Sequence, residues 1–289
     1  MNNLQSIQEE LSQLENLKSL VETYESIAVI FVRRIRQSVF NNRSFYAGLT
    51  NIYTDVIRSY HEEVKNLAHK QDPKTKARFT LLRRNGKTVA VLLSANIGLY
   101  GNIIHDTFKL FLDYVKNSRC DILVIGTVGK ALLEKALPSR KFEYAPYPDI
   151  DADMDHFRSI TQYLERYEDV VVFFGEFRSF LSLKAQQRNI SGELEVKPTG
   201  SKTDSFLFEP SLEQVVIFFE TEIFVAILKQ LFYESRLAKL ASRMFLLDQA
   251  NTNINNTLRK TSLTEQKLRH QIVNKRQLEI VSSIMAHRL

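Results

Sequence analysis

The last 79 residues decide the fold: residues 211–289 read SLEQVVIFFETEIFVAILKQLFYESRLAKLASRMFLLDQANTNINNTLRKTSLTEQKLRHQIVNKRQLEIVSSIMAHRL. This stretch contains neither glycine nor proline, and the first 47 residues contain neither; all fifteen lie from Gly48 to Pro210. Glycine and proline interrupt helices, because glycine costs backbone entropy and proline lacks an N–H and clashes with the preceding turn. The pattern therefore predicts two long helical ends around a different middle. A helix of this length would extend about 120 Å, which indicates a rod.

The N-terminal end carries a stripe of apolar residues at alternating steps of three and four. Its members are Leu4, Ile7, Leu11, Leu14, Val21, Ala28, Val32, Ile35 and Val39, with Lys18 and Glu25 at the intervening places. A neighbouring stripe consists of Leu17, Leu20, Tyr24, Ile27 and Phe31. We expect the seam to drift from one stripe to the other against a partner helix. We also expect the helix to weaken near Phe40–Arg43 and a second helical piece to follow at about Leu49–Leu67.

The C-terminal helix needs a partner, because its apolar stripe becomes sparse beyond Phe232. From there the stripe consists of Leu237, Ala241, Phe245, Leu247, Ile254, Leu258, Leu268 and Ile272. The N-terminal helix is the available partner within the chain. The sequence therefore predicts an α/β protein with a long antiparallel coiled coil, in which the N- and C-terminal helices pair and a Rossmann-like parallel-sheet domain is inserted between them.

The middle of the chain has the pattern of that inserted sheet. Apolar strands at 89–94, 121–126 and 169–175 alternate with helical candidates at about Ile103–Asn117 and Asp155–Tyr167, which is typical of a parallel sheet covered on both faces. Asn85-Gly86 predicts a hairpin between 79–82 and 88–93. Residues 184–204 are predicted as loop, and Ser211 as the N-cap of the last helix. The predicted domains are 1–70, 71–210 and 211–289.

Composition excludes several classes of protein. At 44% hydrophobic and 25% charged residues, the chain is typical of a folded domain rather than a disordered one. The single cysteine, Cys120, excludes an intramolecular disulfide, and we expect it to be a buried structural thiol. Glu220, Glu222 and Lys229 make the most apolar stretch too charged for a membrane span. The first residues have the pattern of neither a secretory signal nor a transit peptide.

Two glycine motifs resemble phosphate-binding loops. Gly98–Asn102 and Gly126–Lys130 lack the spacing of a dinucleotide fingerprint or a P-loop, so we expect strand-to-helix turns. The six histidines show no metal-ligand spacing. No catalytic constellation is predicted, and neither a cofactor nor a metal.

The end of the chain is basic. From Leu258 to Leu289, seven lysines and arginines stand against two glutamates, a net charge of +5. Such a tip favours an acidic partner surface. An ordinary solvated helix face, with cations near a helix C-terminus, explains the charge equally well.

Short motifs along the chain resemble, in order, those of the gamma subunit of F-type rotary ATP synthases. They are Ser94 with Gly98-Leu99-Tyr100-Gly101, then Phe208-Glu209-Pro210-Ser211, Glu234-Ser235, Arg243-Met244, Ala250-Asn251-Thr252-Asn253, Lys267-Leu268-Arg269-His270 and Glu279-Ile280-Val281-Ser282. The family has glutamate where Lys239 stands, glutamine where His270 stands, and an Ile-Thr-x-Glu stretch where Val273–Arg276 stands. These departures indicate a divergent member, or a gamma-like shaft of a specialised rotary ATPase with a non-standard set of partners.

The resemblance implies a non-catalytic central rotor shaft that couples rotation to nucleotide hydrolysis or synthesis in a ring of alpha and beta subunits. Further implied partners are an epsilon-type subunit and a membrane c-ring, with a peripheral location at the cytoplasmic face of a bacterial-type membrane. Arg269, His270 and Asn274 are implied contacts of the beta catch loops. Implied contacts of acidic lever segments are Arg259, Lys260, Lys267, Lys275 and Arg276. The competing interpretations are an α/β nucleotide-binding module and a coiled-coil scaffold or nucleic-acid binder.

Overall fold

The computed structural model describes residues 2–59, 85–149, 154–179, 182–191, 209 and 211–286. In chain order these residues form α1 (Asn2–Ser59), β1 (Thr88–Leu93), α2 (Ile103–Asn117), β2 (Asp121–Ile125), α3 (Thr127–Ala136), β3 (Glu143–Ala145), α4 (Met154–Leu164), β4 (Asp169–Ser179), β5 (Ser182–Asn189) and α5 (Leu212–Ala286). The chain divides into two compact units, one made of Met1–Ile30 with Met244–Leu289 and the other of Phe31–Arg243. The predicted domain boundaries at residues 70 and 210 lie outside the described residues and stay predictions.

The two long helical ends are confirmed, with 58 residues in α1 and 75 in α5. The expected weakening near Phe40–Arg43 is wrong, because α1 runs through it without a break. The physical reason is a partner: the buried Asn42 side chain donates to the Ala226 carbonyl oxygen at 2.9 Å and to Gln230 Oε1 at 3.2 Å. The later part of the predicted second helical piece, from residue 60, lies outside the described residues.

In the first unit, α1 packs along the predicted stripe and not along its neighbour. In α1 of this unit, Val21 and Ala28 are buried, and Lys18 and Glu25 are half-buried. Ile254 of α5 is buried in the same unit. In the neighbouring stripe the first four residues are exposed, from 41% at Ile27 to 58% at Leu20, whereas Phe31, which belongs to the second unit, is half-buried. The expected drift of the seam is therefore wrong within the first unit. The seven-residue repeat explains this, because it keeps one stripe facing the partner helix, as in coiled coils. Phe245 and Ile272, two members of the stripe predicted for the C-terminal helix, are exposed as well.

In the second unit the two helices run antiparallel. Asn42 contacts residues 226 and 230, and farther along α1 the Tyr53 hydroxyl donates to Glu220 Oε1 at 3.1 Å. Rising numbers in α1 therefore meet falling numbers in α5. Tyr53 and Glu220 are both buried, and burial together with the Glu220 carboxylate raises the pKa of Tyr53 above its ordinary value.

The sheet has the order β3-β2-β1-β4-β5, with β1 in the centre. β1 pairs in parallel with β2 on one side and with β4 on the other, and β5 joins β4 antiparallel. β1 is therefore not an arm of a hairpin as predicted; the other arm, 79–82, lies outside the described residues. The predicted loop from residue 184 is also wrong up to Asn189, because these polar residues form the edge strand β5, where one face meets water.

Both faces of the sheet are covered, as expected. Val89, Val91 and Leu93 of β1 pack on one face with α4 and α5, while Ala90 and Leu92 pack on the other with α2 and α3. The alternation follows from the two-residue period of a strand. The long helix α5 thus belongs to the core of the α/β domain.

The helix bounds and caps agree in part with expectation. α2 has the predicted bounds, whereas α4 ends at Leu164, three residues before the predicted end, where Tyr167 N–H turns back to the Leu164 carbonyl. Ser211 caps α5 as predicted, because its hydroxyl accepts from Gln214 N–H at 3.3 Å. Cys120 is half-buried rather than buried, and desolvation raises the pKa of its thiol.

Candidate functional site

The sheet order creates the crevice in which open α/β sheets usually bind ligands. The chain leaves β1 towards β2 on one side and returns with β4 on the other. Ligands of this architecture bind at such a switch point, beside the carboxyl ends of the strands. In this protein the crevice is bordered by the loop from Ser94 to Gly101 and by the segment Tyr147–Asp149.

Helix α5 fills that crevice with a row of polar contacts. Arg236 Nε donates to the Asp149 carbonyl at 3.0 Å, and Lys239 Nζ to the Ser94 carbonyl at 2.7 Å. Ser242 Oγ donates to the Tyr100 carbonyl at 2.7 Å, and Arg243 Nη2 to the Gly98 carbonyl at 3.0 Å. The spacing of three and four residues places these donors on one helix face. We call Arg236, Lys239, Ser242 and Arg243, with the loops they contact, the crevice cluster.

Asp149 connects the helix to the loop. Its Oδ1 lies 3.2 Å from Lys239 Nζ, while its Oδ2 accepts from Asn96 N–H at 2.8 Å and from Ile97 N–H at 3.2 Å. The side chains of Lys239 and Asp149 are only 8% and 7% exposed. Burial lowers the pKa of Lys239 below its ordinary value, and the carboxylate of Asp149 opposes that shift. The pair is therefore a desolvated ion pair.

Aromatic rings and close packing complete the crevice cluster. Arg243 lies over the ring of Tyr100, 4.2 Å from its centroid. Burial is the main cause that raises the pKa of Tyr100 to about 12, and Asp149 adds to it. A Cβ on Gly175 of β4 would lie 2.8 Å from Ile103 Cγ1 and 3.3 Å from Ala238 Cβ, so α5 approaches the sheet closely.

Little free volume remains between α5 and the carboxyl ends of the strands. The cavity lined by Leu93, Ile125, Tyr147, Phe232 and Lys239 has a volume of about 10 Å³. A single water needs about 10 to 15 Å³ by this kind of measure. This crevice therefore has no room for a nucleotide.

The two glycine motifs are strand-to-helix turns, as predicted. Gly98–Asn102 connects β1 with α2, and Gly126 connects β2 with α3. Gly126 has a φ of +102°, and a Cβ there would lie 2.7 Å from the backbone of Ala95. The N–H of Thr127 donates to Asn96 Oδ1 at 3.2 Å, so this first N–H of α3 already has a protein partner. Gly126 therefore allows the turn after β2 to lie close to the loop after β1.

The residues predicted as partner contacts all lie on α5 in the first unit, and all are exposed. They are Arg259, Lys260, Lys267, Arg269, His270, Asn274, Lys275 and Arg276, which we call the basic tip. Gln8 of α1 donates to Glu265 Oε1 at 3.1 Å, and α1 begins at Asn2. Helix α5 therefore continues past the start of α1, and residues 271–283 are exposed on every side. The apolar Ile272, Val273 and Leu278 are exposed among them.

Arg269 is held in place within the basic tip. Its Nε and Nη2 donate to Glu265 Oε1 at 2.9 and 2.7 Å. The hydrogen bonds from Arg269, and then from Gln8, hold the pKa of Glu265 below its ordinary value. The four-residue spacing from glutamate to arginine on a helix could have predicted this pair. The crevice cluster was also missed, although three cations in the otherwise apolar turns 236–243 were a signal for it.

Metal sites and membrane spans find no support in the part of the chain that the structure describes. There, no group of three or more His, Cys, Asp or Glu side chains is placed to hold a metal ion. Within the same residues, no helix combines the length and the apolar composition that crossing a bilayer requires.

A family model described as ATP synthase matches residues 3–286. The chain belongs to this family. It is 21% identical to the ATP synthase gamma chain of Dictyoglomus thermophilum over 99% of this chain and 98% of that protein. It is 23% identical to the ATP synthase gamma chain of Elusimicrobium minutum over 99% of each. At such identities it is a divergent family member.

Solved structures support the fold of this family member. The rotor of Euglena gracilis mitochondrial ATP synthase superposes with a TM-score of 0.57 at 13% identity, covering 94% of this chain and 99% of that one. A chain of the central stalk and c-ring of the Tetrahymena thermophila mitochondrial enzyme gives a TM-score of 0.54 at 16% identity, covering 80% and 99%. The predicted architecture of terminal helices around a mainly parallel sheet is thereby confirmed.

Proposed function

We propose that this ATP synthase family member is the gamma-type central shaft of an F-type enzyme and is itself non-catalytic. One observation carries the proposal: the ligand crevice of the α/β domain is filled by α5, one of the two long helices. In this domain, therefore, α5 occupies the position in which related architectures bind a nucleotide. The relatives named gamma chains and the rotor and stalk structures support the same role.

The shaft would act by favouring particular conformations of its partner subunits, and the nucleotide chemistry would take place in those partners. The helix pair would enter a ring of alternating alpha and beta subunits, and its asymmetric surface would favour a different beta conformation at each angle. Such coupling is a shift of populations between states that differ in their contacts with the shaft. The α/β domain would face an epsilon-type subunit and the membrane c-ring. The complex would lie peripherally at the cytoplasmic face of a bacterial-type membrane.

The basic tip is proposed as the surface that meets the beta subunits. Arg269, His270 and Asn274 would contact the catch loops, and the other cations would face acidic lever segments. Exposure of all eight residues leaves them available to a partner. Each exposed ion pair contributes up to about 1 kcal/mol, so several pairs together are needed for a measurable effect.

The test is reconstitution with alpha and beta subunits from the same organism. We expect one copy of the chain to co-purify with the ring and to be required for its full ATPase turnover. Lys275→Glu with Arg276→Glu should lower ATPase turnover several-fold without changing the thermal midpoint, because both residues are exposed.

A matched control is Lys116→Glu with Lys135→Glu, which reverses two exposed cations of the α/β domain, one on α2 and one on α3. It should leave turnover unchanged. If the chain does not join the ring, the shaft function is wrong; if the double variant turns over like wild type, only the role of the tip is wrong. Binding of ATP to the chain alone would favour the competing nucleotide-binding function.

A further inference from the structure

The crevice cluster adds directional bonds to the apolar packing of α5 on the sheet. Four successive polar residues of one α5 face reach four main-chain carbonyls, those of Asp149, Ser94, Tyr100 and Gly98. The apolar core beneath already buries Phe224, Ile227, Leu228 and Leu231 of the same helix. The polar bonds satisfy these carbonyls, and because they are directional they also fix the angle of α5 about its axis.

We propose that the Lys239–Asp149 ion pair is the torsional lock by which rotation passes between α5 and the α/β domain. This role rests on the proposed shaft function and specifies which residues carry its torque. Lys239 and Asp149 are positioning residues, because they act on the ring only through the helix.

The hydrogen bonds of Lys239 favour this residue as the point at which torque passes from α5 to the sheet. Its Nζ bonds to the carbonyl of Ser94, the residue directly after β1. β1 is the central strand and is paired on both edges, and Ser94 N–H itself donates to the Ile125 carbonyl of β2 at 2.8 Å. Through Asp149, the same ammonium also reaches the N–H groups of Asn96 and Ile97. The ammonium group of Lys239 thus bonds to both sides of the crevice, to the loop after β1 through Ser94 and to the opposite segment through Asp149.

Directional bonds resist twisting in a way that apolar contacts do not. Rotation of α5 by about 10° about its axis displaces atoms at the helix surface, about 6 Å from the axis, by about 1 Å. A displacement of about 1 Å along the Lys239 bonds of 2.7 and 3.2 Å would lengthen them to about 3.7 and 4.2 Å, beyond hydrogen-bond distance. The free energy of hydrophobic burial changes little over such a rotation, because it is non-directional. Charge strengthens the bonds, since ionised partners form stronger hydrogen bonds than neutral ones.

Charge at position 239 also explains the departure from the family motif. Lys239 stands where the resemblance places a glutamate, and a carboxylate there would face that of Asp149 and the Ser94 carbonyl. The cation and Asp149 therefore form a matched set.

The first experiment measures torsional stiffness in the complex with the alpha and beta ring. A rotation probe is attached to the α/β domain through Ser139→Cys in a Cys120→Ser background, since residue 139 is exposed. In nucleotide-paused complexes, Lys239→Met should increase the angular variance of the probe at least twofold, while the ATPase turnover of this ring complex stays unchanged. The control Lys87→Met breaks an exposed pair with Asp121, 3.8 Å long, and should leave the variance unchanged.

The second experiment tests the lock in the full chain alone. Lys239→Met should accelerate amide hydrogen exchange at Asn96 and Ile97 at least tenfold, with no change in β4. If Lys239→Met does not assemble, Asp149→Asn removes the charge while keeping the size of the side chain, and is measured in the same ways. Angular variance equal to wild type, in whichever variant assembles, would overturn the lock. A wild-type chain that fails to join the ring would instead overturn the shaft function.

Discussion

Gly175→Ala tests whether α5 and the sheet are packed as closely as the crevice requires. The added Cβ would lie 2.8 Å from Ile103 Cγ1 and 3.3 Å from Ala238 Cβ, well inside ordinary carbon contacts of about 3.5 to 4.0 Å. Cγ1 is attached to the branched Cβ of Ile103 and moves only with the whole side chain, so the backbone of β4 or α2 must shift. Overpacking of this kind costs about 1 to 3 kcal/mol.

Two effects act against that strain. Replacing glycine by alanine lowers the entropy of the unfolded chain, which stabilises the fold by about 0.4 to 1 kcal/mol. Burying one methyl adds about 0.8 kcal/mol. The strain is at the upper end of its range because the nearest atom cannot swing away, so we expect a net loss of about 1 kcal/mol. For a domain of this size that corresponds to a decrease of about 2 to 4 °C in the midpoint of thermal unfolding.

Gly48→Ala is the matched control. Gly48 lies inside α1, and a Cβ there would meet nothing within 4 Å. This substitution should stabilise the helix by about 0.5 to 1 kcal/mol. The two glycines therefore predict shifts of opposite sign, measurable by urea unfolding followed by circular dichroism. A rise in the unfolding midpoint of Gly175→Ala, like that of Gly48→Ala, would refute the close packing of α5 on the sheet.

Three further outcomes are expected. Ser211→Ala removes the hydroxyl that accepts from Gln214 N–H and should cost about 0.5 to 2 kcal/mol in urea unfolding, whereas Ser211→Asp should retain wild-type stability. The pKa of Tyr100 is raised to about 12, so the stability that its neutral form contributes is present below pH 10 and is lost as the pH rises from 10 to 12. Between these pH values the unfolding free energy of the wild type should fall more steeply than that of Tyr100→Phe. Equal slopes for the two proteins would contradict this prediction. The depressed pKa of Glu265 means that its pairing with Arg269 is present above about pH 4.5 and is lost as the pH falls through its folded value; the Arg269 side-chain NMR signals should move in acid in wild type and stay unchanged in Glu265→Gln.

Periodicity predicted the long elements because it is a local property of the chain. The stripe from Leu4 to Val39, the buried strands and the bounds of α2 all follow from spacing that one element carries by itself. The same reasoning failed for β5, where the polar sequence SLKAQQRN becomes a strand only because β4 offers it a free edge. It also failed at Phe40–Arg43, where a side-chain bond from Asn42 to the partner helix supports a locally weak segment.

The two candidate sites show the same difference between features that one element determines and features that depend on the whole fold. The basic tip could be located from the sequence, because exposure and charge are visible along a single helix. The crevice cluster could not, because it joins Asp149 with Lys239 across ninety residues and depends on the order of the strands. The only local sign was the run of cations at 236, 239 and 243 within an apolar helix, and such a run has no meaning until its acceptors are known.

The filled crevice also limits how a nucleotide could influence this chain. In an α/β domain of this order, the place for a phosphate is the turn after β1 or the first N–H groups of the following helices. Here the Asn96 and Ile97 N–H groups donate to the Asp149 carboxylate, and the Thr127 N–H donates to Asn96. A phosphate entering the crevice would have to displace a buried ion pair, and leaving one partner of such a pair uncompensated costs about 3 to 5 kcal/mol. Any response of this protein to a nucleotide bound at that switch point would therefore have to break the bonds that hold α5 to the sheet, so the structure favours nucleotide effects that arrive through partners and leave the crevice cluster intact.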